Sequence, residues 1–175
     1  ETMLLPDIEI QQLLLQSGLI DTKAMRDVLV FAANARIPLQ QAVAEKDVIP
    51  DEKIGLLIAN HIKYPFITLS KVTIPERVYR IVPERLARKH KAIVFEKDAN
   101  GVRLATADPV NTKLPAIIAK KTGQKVTVYM ATEKDIDNVL QLYRKDLQRT
   151  FDELLQAEIT RTATSMDEAP IAKIV

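Results

Sequence analysis

Cysteine and tryptophan are absent from the 175 residues, and only four glycines and two histidines are present. Without cysteine there is no disulfide, no thiol nucleophile and no Cys-based zinc site, a pattern that fits a cytoplasmic protein. The glycines, Gly18, Gly55, Gly101 and Gly123, never lie close together. A phosphate-cradling loop needs clustered glycines ahead of Lys and Ser/Thr, or a Gly-x-Gly-x-x-Gly turn between strand and helix, so that backbone amides can approach phosphate oxygens. Both are missing. Apolar runs such as Val28–Ala33 fall far short of the roughly 20 residues of a membrane-spanning helix. Twenty-five Lys and Arg against 23 Asp and Glu leave a net charge of +2, too near neutral for whole-chain attraction to nucleic acid or anionic lipid.

What is present is the balance of a folded globular chain, 47% hydrophobic and 27% charged. The first sixty residues have helical periodicity broken by turn signals at residues 18–21, 34–38 and 47–51, which predicts four short helices. Asp21 or Thr22 and Asp51 suit helix N-caps, and Gly18 and Asn34 suit the left-handed residue that ends a helix. A shift of twenty-nine residues superposes Leu19-Ile20-Asp21 on Val48-Ile49-Pro50, and Met25 and Leu29 on Ile54 and Ile58. A helix-turn-helix unit therefore occurs twice. Neither copy can bury its apolar face alone, so the two should pack as one four-helix unit.

After His61 the pattern changes. Phe66–Leu69, Ala92–Phe95, Val102–Ala107 and Val126–Met130 read as strands rich in β-branched and aromatic residues. Helical segments near 75–82, 83–90, 112–121 and 133–143 alternate with them, the last two capped by Asn111 and Thr132. Asn100-Gly101 is a hairpin signal of the type I′ kind. The fold class expected is α+β: two helix-turn-helix repeats over residues 1–63, then a small α/β sandwich with a mixed four-stranded sheet over 64–148. Ile136, Leu140, Tyr143, Leu147, Phe151 and Leu154 form a helical stripe that leaves the last strand, and residues 160–168 read as a polar linker. Residues 149–175 are thus expected to be an amphipathic helix and a linker toward a further module.

The chain has little to offer chemistry. His61 and His90 lack a second histidine or carboxylate at helix-facing spacing for a metal. Ser17, Ser70 and Ser165 lie in no nucleophile elbow. Asp98 and Asp108 are better explained as turn and capping residues than as a catalytic pair. The locally basic run Arg77, Arg80, Arg85, Arg88, Lys89 and Lys91, set against Glu76 and Glu84, suits either a solvated helix face or a contact for an acidic partner or phosphate. Phe151, Leu154 and Leu155 lie past the expected sandwich, where exposure would mark a contact surface.

An ordered set of phrases carries a resemblance. It comprises Gly18-Leu19-Ile20 with Val48-Ile49, Tyr64-Pro65-Phe66-Ile67-Thr68-Leu69, Val82-Pro83-Glu84-Arg85-Leu86-Ala87-Arg88-Lys89-His90, Leu104-Ala105-Thr106-Ala107-Asp108-Pro109, Thr122-Gly123, and Val128-Tyr129-Met130-Ala131-Thr132-Glu133-Lys134-Asp135-Ile136. Over about residues 8–150 the chain resembles the amino-terminal domain, called MshEN, of the ATPases that power type II secretion and type IV pilus assembly. Its closing residues, Glu168–Val175, are similar to the phrase that opens the ATPase part, so the chain reads as a fragment whose Walker loop would follow Val175. The resemblance implies a non-catalytic adaptor and regulatory domain, with no cofactor of its own, that docks a hexameric secretion or type IV pilus assembly ATPase onto cytoplasmic parts of its inner-membrane machinery. The implied partners are the cytoplasmic domain of an inner-membrane secretion or pilus component and the chain's own ATPase module, with no nucleic acid and no membrane insertion. The implied location is cytoplasmic, peripheral to the bacterial inner membrane through those partners. Arg77, Arg80, Arg85, Arg88, Phe151 and Leu154 are the candidate partner-binding residues.

Many members of that family bind cyclic di-GMP with the doubled unit, using Arg-Leu-Gly ahead of each copy and Gln at its end. Here those positions hold Glu9-Ile10-Gln11 and Pro38-Leu39-Gln40, and the glutamines are replaced by Ala32 and His61. A side chain in place of glycine obstructs close approach, and Glu9 repels a phosphate. Cyclic di-GMP binding in the usual mode is therefore not expected. The alternative is a ligand-sensing domain that holds cyclic di-GMP or another nucleotide between the helical unit and the sandwich, with Arg36, His61 and Lys63 as contacts.

Overall fold

The computed structural model describes residues 4–167, so Glu168–Val175 and the ATPase-like phrase they carry lie outside the described residues. The first four helices are α1 (Asp7–Ser17), α2 (Thr22–Ala35), α3 (Leu39–Lys46) and α4 (Asp51–Ile62). The twenty-nine-residue shift is written into their burial: Ile10 and Leu39, Leu14 and Val43, Ile20 and Ile49, and Met25 and Ile54 are all buried. Gly18 ends α1 in the left-handed conformation, and Asp47 does the same for α3 at the matching position. Asp21 caps α2 by accepting from the Ala24 amide at 2.7 Å. Two termini differ from expectation. Helix α2 runs past Asn34 to a left-handed Arg36, whose amide donates to the Ala32 and Ala33 carbonyls. Pro50, not Asp51, caps α4, and Asp51 lies in the first turn, where a carboxylate complements the exposed amides.

The second half contains α5 (Glu76–Tyr79), α6 (Glu84–His90), β1 (Ala92–Asp98), β2 (Gly101–Thr106), α7 (Lys113–Thr122), β3 (Val126–Met130), α8 (Glu133–Val139) and α9 (Gln141–Asp167). The sheet has three strands in the order β1-β2-β3, with β1 antiparallel and β3 parallel to the central β2. Four were expected. Phe66 makes one parallel bridge to Met130, the Ile67 amide donates to the Met130 carbonyl at 3.0 Å, and the ladder stops. Pro65 has no amide to extend it upstream. Downstream the Asp135 carboxylate accepts from the Leu69 and Ser70 amides at 2.6 and 3.2 Å, and draws the chain into a 3₁₀ turn at Leu69–Lys71.

The hairpin also differs. Asp98 pairs with Gly101, which leaves Ala99 and Asn100 as the turn, and neither has positive φ. The Asp98 carboxylate accepts from the Asn100 amide instead. Gly101, the first residue of β2, is the one with positive φ, at 133°, and a β-carbon there would also collide with the Lys125 carbonyl oxygen just ahead of β3.

The helical layer and the sheet join through close packing. Met130, at the end of β3, belongs to the core cluster of α1 to α4, and Phe66 packs against that cluster. A β-carbon on Gly55 of α4 would lie 2.5 Å from the Thr132 methyl and 2.7 Å from the Phe66 ring, so glycine lets the helix seat against both. Glu52 of α4 also accepts from Thr68 and pairs with Lys71 at 2.9 Å, and these contacts hold its carboxyl below the usual range. The chain divides into two compact units, one ending at Val139 and one beginning at Leu140. The second is dominated by α9, which continues through residues 160–167 where a linker was expected.

Candidate functional site

A cleft of about 840 Å³ lies in the first unit, between α3 and α4 on one side and α6, α7, α8 and the ends of β2 and β3 on the other. Its helical wall presents Pro38, Gln40, Asp51 and Gly55, and its sheet wall presents Lys89, His90, Lys91, Thr106, Asp108, Thr132 and Lys134. Lys91 takes the left-handed conformation that ends α6, which aims its ammonium at α8. There Nζ donates to Asp137 at 2.6 Å and lies 3.7 Å from Glu133. The Asp137 hydrogen bond is the main reason the Lys91 pKa is raised. Burial, with help from Lys89 and Lys113, holds the His90 imidazole below its ordinary value. Lys89 and Lys134 remain to set against Asp51 and Asp108, so the walls carry mixed charge. Among the described residues no group of three or more His, Cys, Asp or Glu could hold a metal ion.

The degenerate nucleotide positions are not gathered in that cleft. Ile10, Ala32 and Leu39 are buried in the helical core. Gln11 and Gln40 are half-buried, and only Gln40 lines the cleft. Glu9 and His61 meet instead: the Glu9 carboxylate lies 3.7 Å from His61 Nε2, so α1 of the first repeat touches the end of α4 of the second. Arg36 and Lys63 are exposed left-handed residues at the ends of α2 and α4, and neither lines the cleft. In the basic run, Arg80 and Arg88 pair with Glu76 and Glu84 one turn earlier, at 2.7 and 2.8 Å. Arg77 and Arg85 are exposed, as are Phe151 and Leu154. Lys89 and Lys91 at the α6 edge of the cleft belong to the basic run singled out in the sequence, whereas the α8 residues had no distinguishing signal, because Thr132 and Glu133 read as an ordinary helix start.

Two repeats of paired helices, seated through a mid-helix glycine on a three-stranded mixed sheet, define a compact α+β module. Residues 62–155, just over half of the chain, match the family model for the MshEN domain, and the chain belongs to that family. It is 25% identical over 122 residues to the type IV pilus assembly ATPase PilB of Thermus thermophilus, an alignment covering 69% of this chain and 14% of that protein. It is 19% identical to PilB of Myxococcus xanthus over 94% of this chain and 31% of that protein. The chain thus spans less than a third of the length of either relative. Among solved structures, MshE with c-di-GMP superposes with a TM-score of 0.56 at 18% identity, covering 77% of this chain and 97% of that one. The N-terminal domain of XpsE does so with a TM-score of 0.52 at 13% identity, covering 80% and 97%.

Proposed function

We propose that this chain is a non-catalytic adaptor and regulatory domain of an ATPase that drives type IV pilus assembly or type II secretion. It docks that motor on the cytoplasmic part of its inner-membrane machinery. Membership of the MshEN family and the likeness to two pilus assembly ATPases support the motor context. The observation that carries the reading is the contact between Glu9 and His61. Where the cyclic di-GMP motif wants arginine and glutamine, this chain sets a carboxylate against an imidazole, with Gln11 and Gln40 in place of glycine. A carboxylate opposes a phosphodiester, and burial of Ile10 and Leu39 commits those positions to the core. Protein contact is then the role left to the domain, with the exposed Arg77 and Arg85 as the side chains that meet an acidic partner surface.

Two measurements test the proposal. Calorimetry with cyclic di-GMP should give no stoichiometric binding, and a pull-down with the cytoplasmic domains of the apparatus should retain the chain, less so after Arg77→Glu with Arg85→Glu. Tight binding of the dinucleotide that is lost on changing Gln11 and Gln40 would overturn it. The cleft favours a second reading, a nucleotide sensor, because its volume falls in the range of small-molecule sites. A thermal-shift series with nucleotides separates the two, since a ligand of the folded state must raise its apparent stability.

A further inference from the structure

Helix α7 turns lysines and an isoleucine outward. Lys113, Ala116, Ile117 and Lys120 are exposed, while Leu114 and Ile118 on the other side of the helix are buried. At 100° per residue the four exposed positions fall within an arc of about 100°, so they form one face. The helix contains no carboxylate.

Two contacts place that face beside α6. Lys121, near the end of α7, donates from Nζ to the Ile81 carbonyl just ahead of α6, at 2.9 Å. Lys113, at the start of α7, is one of the charges that, after burial and Lys89, hold the His90 imidazole at the end of α6 below its ordinary value. The two helices therefore run antiparallel as neighbours, α6 packed on β1 and α7 on β3. Ala87 is the buried residue of α6, and Arg85 and Lys89 stand exposed on its opposite side. Glu84, the one carboxylate of α6, is already paired with Arg88 at 2.8 Å. Among the described residues no carboxylate lies within ion-pair distance of Arg85, Lys89, Lys113 or Lys120. The chain total of +2 conceals this face, because α6 and α7 together carry six Lys and Arg against Glu84 alone.

We propose that the outer side of the α6 and α7 pair docks an acidic protein surface, with Ile117 entering an apolar pocket and Lys113, Lys120, Arg85 and Lys89 meeting carboxylates around it. This rests on the adaptor role proposed above and extends its contact to α7, which lies outside the basic run of the sequence. An apolar centre within a polar rim is the anatomy of a protein interface. Cations without partners of their own steer an oppositely charged surface onto them. None of Arg85, Lys113, Ile117 and Lys120 lines the cleft, so the face is separate from that site. An anionic bilayer is the poorer occupant, because a helix lying in one buries its apolar face there, and Leu114 and Ile118 of α7 are already committed to the core.

The test is a calorimetric titration of the chain with the purified cytoplasmic domains of the inner-membrane components. Ile117→Glu should weaken binding at least about tenfold, as should Lys113→Glu with Lys120→Glu, and added salt should weaken the wild-type complex. Lys113→Arg with Lys120→Arg should keep the affinity. All these sites are exposed, so each variant should keep the circular dichroism spectrum and thermal transition of the wild type. If the wild-type chain binds none of the domains, the adaptor reading falls and this inference with it. If the wild type binds and the α7 variants bind equally well, this inference alone is overturned. It is overturned too if flotation with phosphatidylglycerol vesicles is abolished by Lys113→Glu with Lys120→Glu while the protein complex is untouched, since lipid would then be the occupant.

Discussion

Gly55 sits mid-helix, where glycine costs about 1 kcal/mol relative to alanine, and it is kept there by what faces it. In Gly55→Ala that gain opposes a methyl 2.5 to 2.9 Å from Thr132 and Phe66, an overpacking that costs about 1–3 kcal/mol. The clash should win, with a net loss of about 1 kcal/mol in denaturant unfolding. Combining it with Phe66→Leu should lose less than the two single losses together. His90 gives a pH signature. Its imidazole is held below its ordinary value of 6.5 in the fold, so the unfolded chain binds the proton more readily. Stability is then full above about 6.5 and falls as the pH drops through the folded-state value. In His90→Gln the difference between melts at neutral and mildly acidic pH should shrink.

Elements, rather than residues, decide where the sheet stops. The strand expected at Phe66–Leu69 was legible as a β-rich phrase, and Phe66 does bridge β3. Its end was not legible, because the carboxylate that captures the Leu69 and Ser70 amides lies at Asp135, sixty-six residues away from Leu69. Asp135→Ala should cost about 1–3 kcal/mol, since two amides lose a charged acceptor, and should speed hydrogen exchange at Leu69 and Ser70 while leaving β2 protected. The misplaced hairpin turn has a similar cause: Asn100-Gly101 has turn chemistry, but the glycine opens β2, where it answers both to its positive φ and to the Lys125 carbonyl, a neighbour remote in sequence. Helix α9 outran its expected end because residues 160–167 lack an apolar period, and i to i+4 hydroxyl contacts such as Thr164 to the Thr160 carbonyl leave no trace in a pattern of hydrophobicity.

On the scale of the whole molecule, the doubled helical unit was the most legible part, because a repeat states its own spacing and burial follows it pair by pair. The cleft was the least legible. Its lining comes from seven elements, and its polar residues are locally ordinary cap or surface groups. The meeting of Glu9 with His61 likewise depends on how the repeats pack, not on either helix.

The left-handed helix ends have a consequence for how much heat the protein tolerates. Arg36, Asp47, Lys63 and Lys91 all hold positive φ without being glycine, a conformation that costs an ordinary side chain about 1–2 kcal/mol. Arg36 and Lys63 are exposed, so Arg36→Gly with Lys63→Gly gives up little contact. The glycines add unfolded-state entropy worth about 0.4–1 kcal/mol each, which leaves a net gain of about 1 kcal/mol for the pair and a rise of about 2–4 °C in the melting temperature. Selection holds proteins above a threshold of stability, not at its maximum, and these helix ends are a reserve of thermal tolerance that the sequence has left unused.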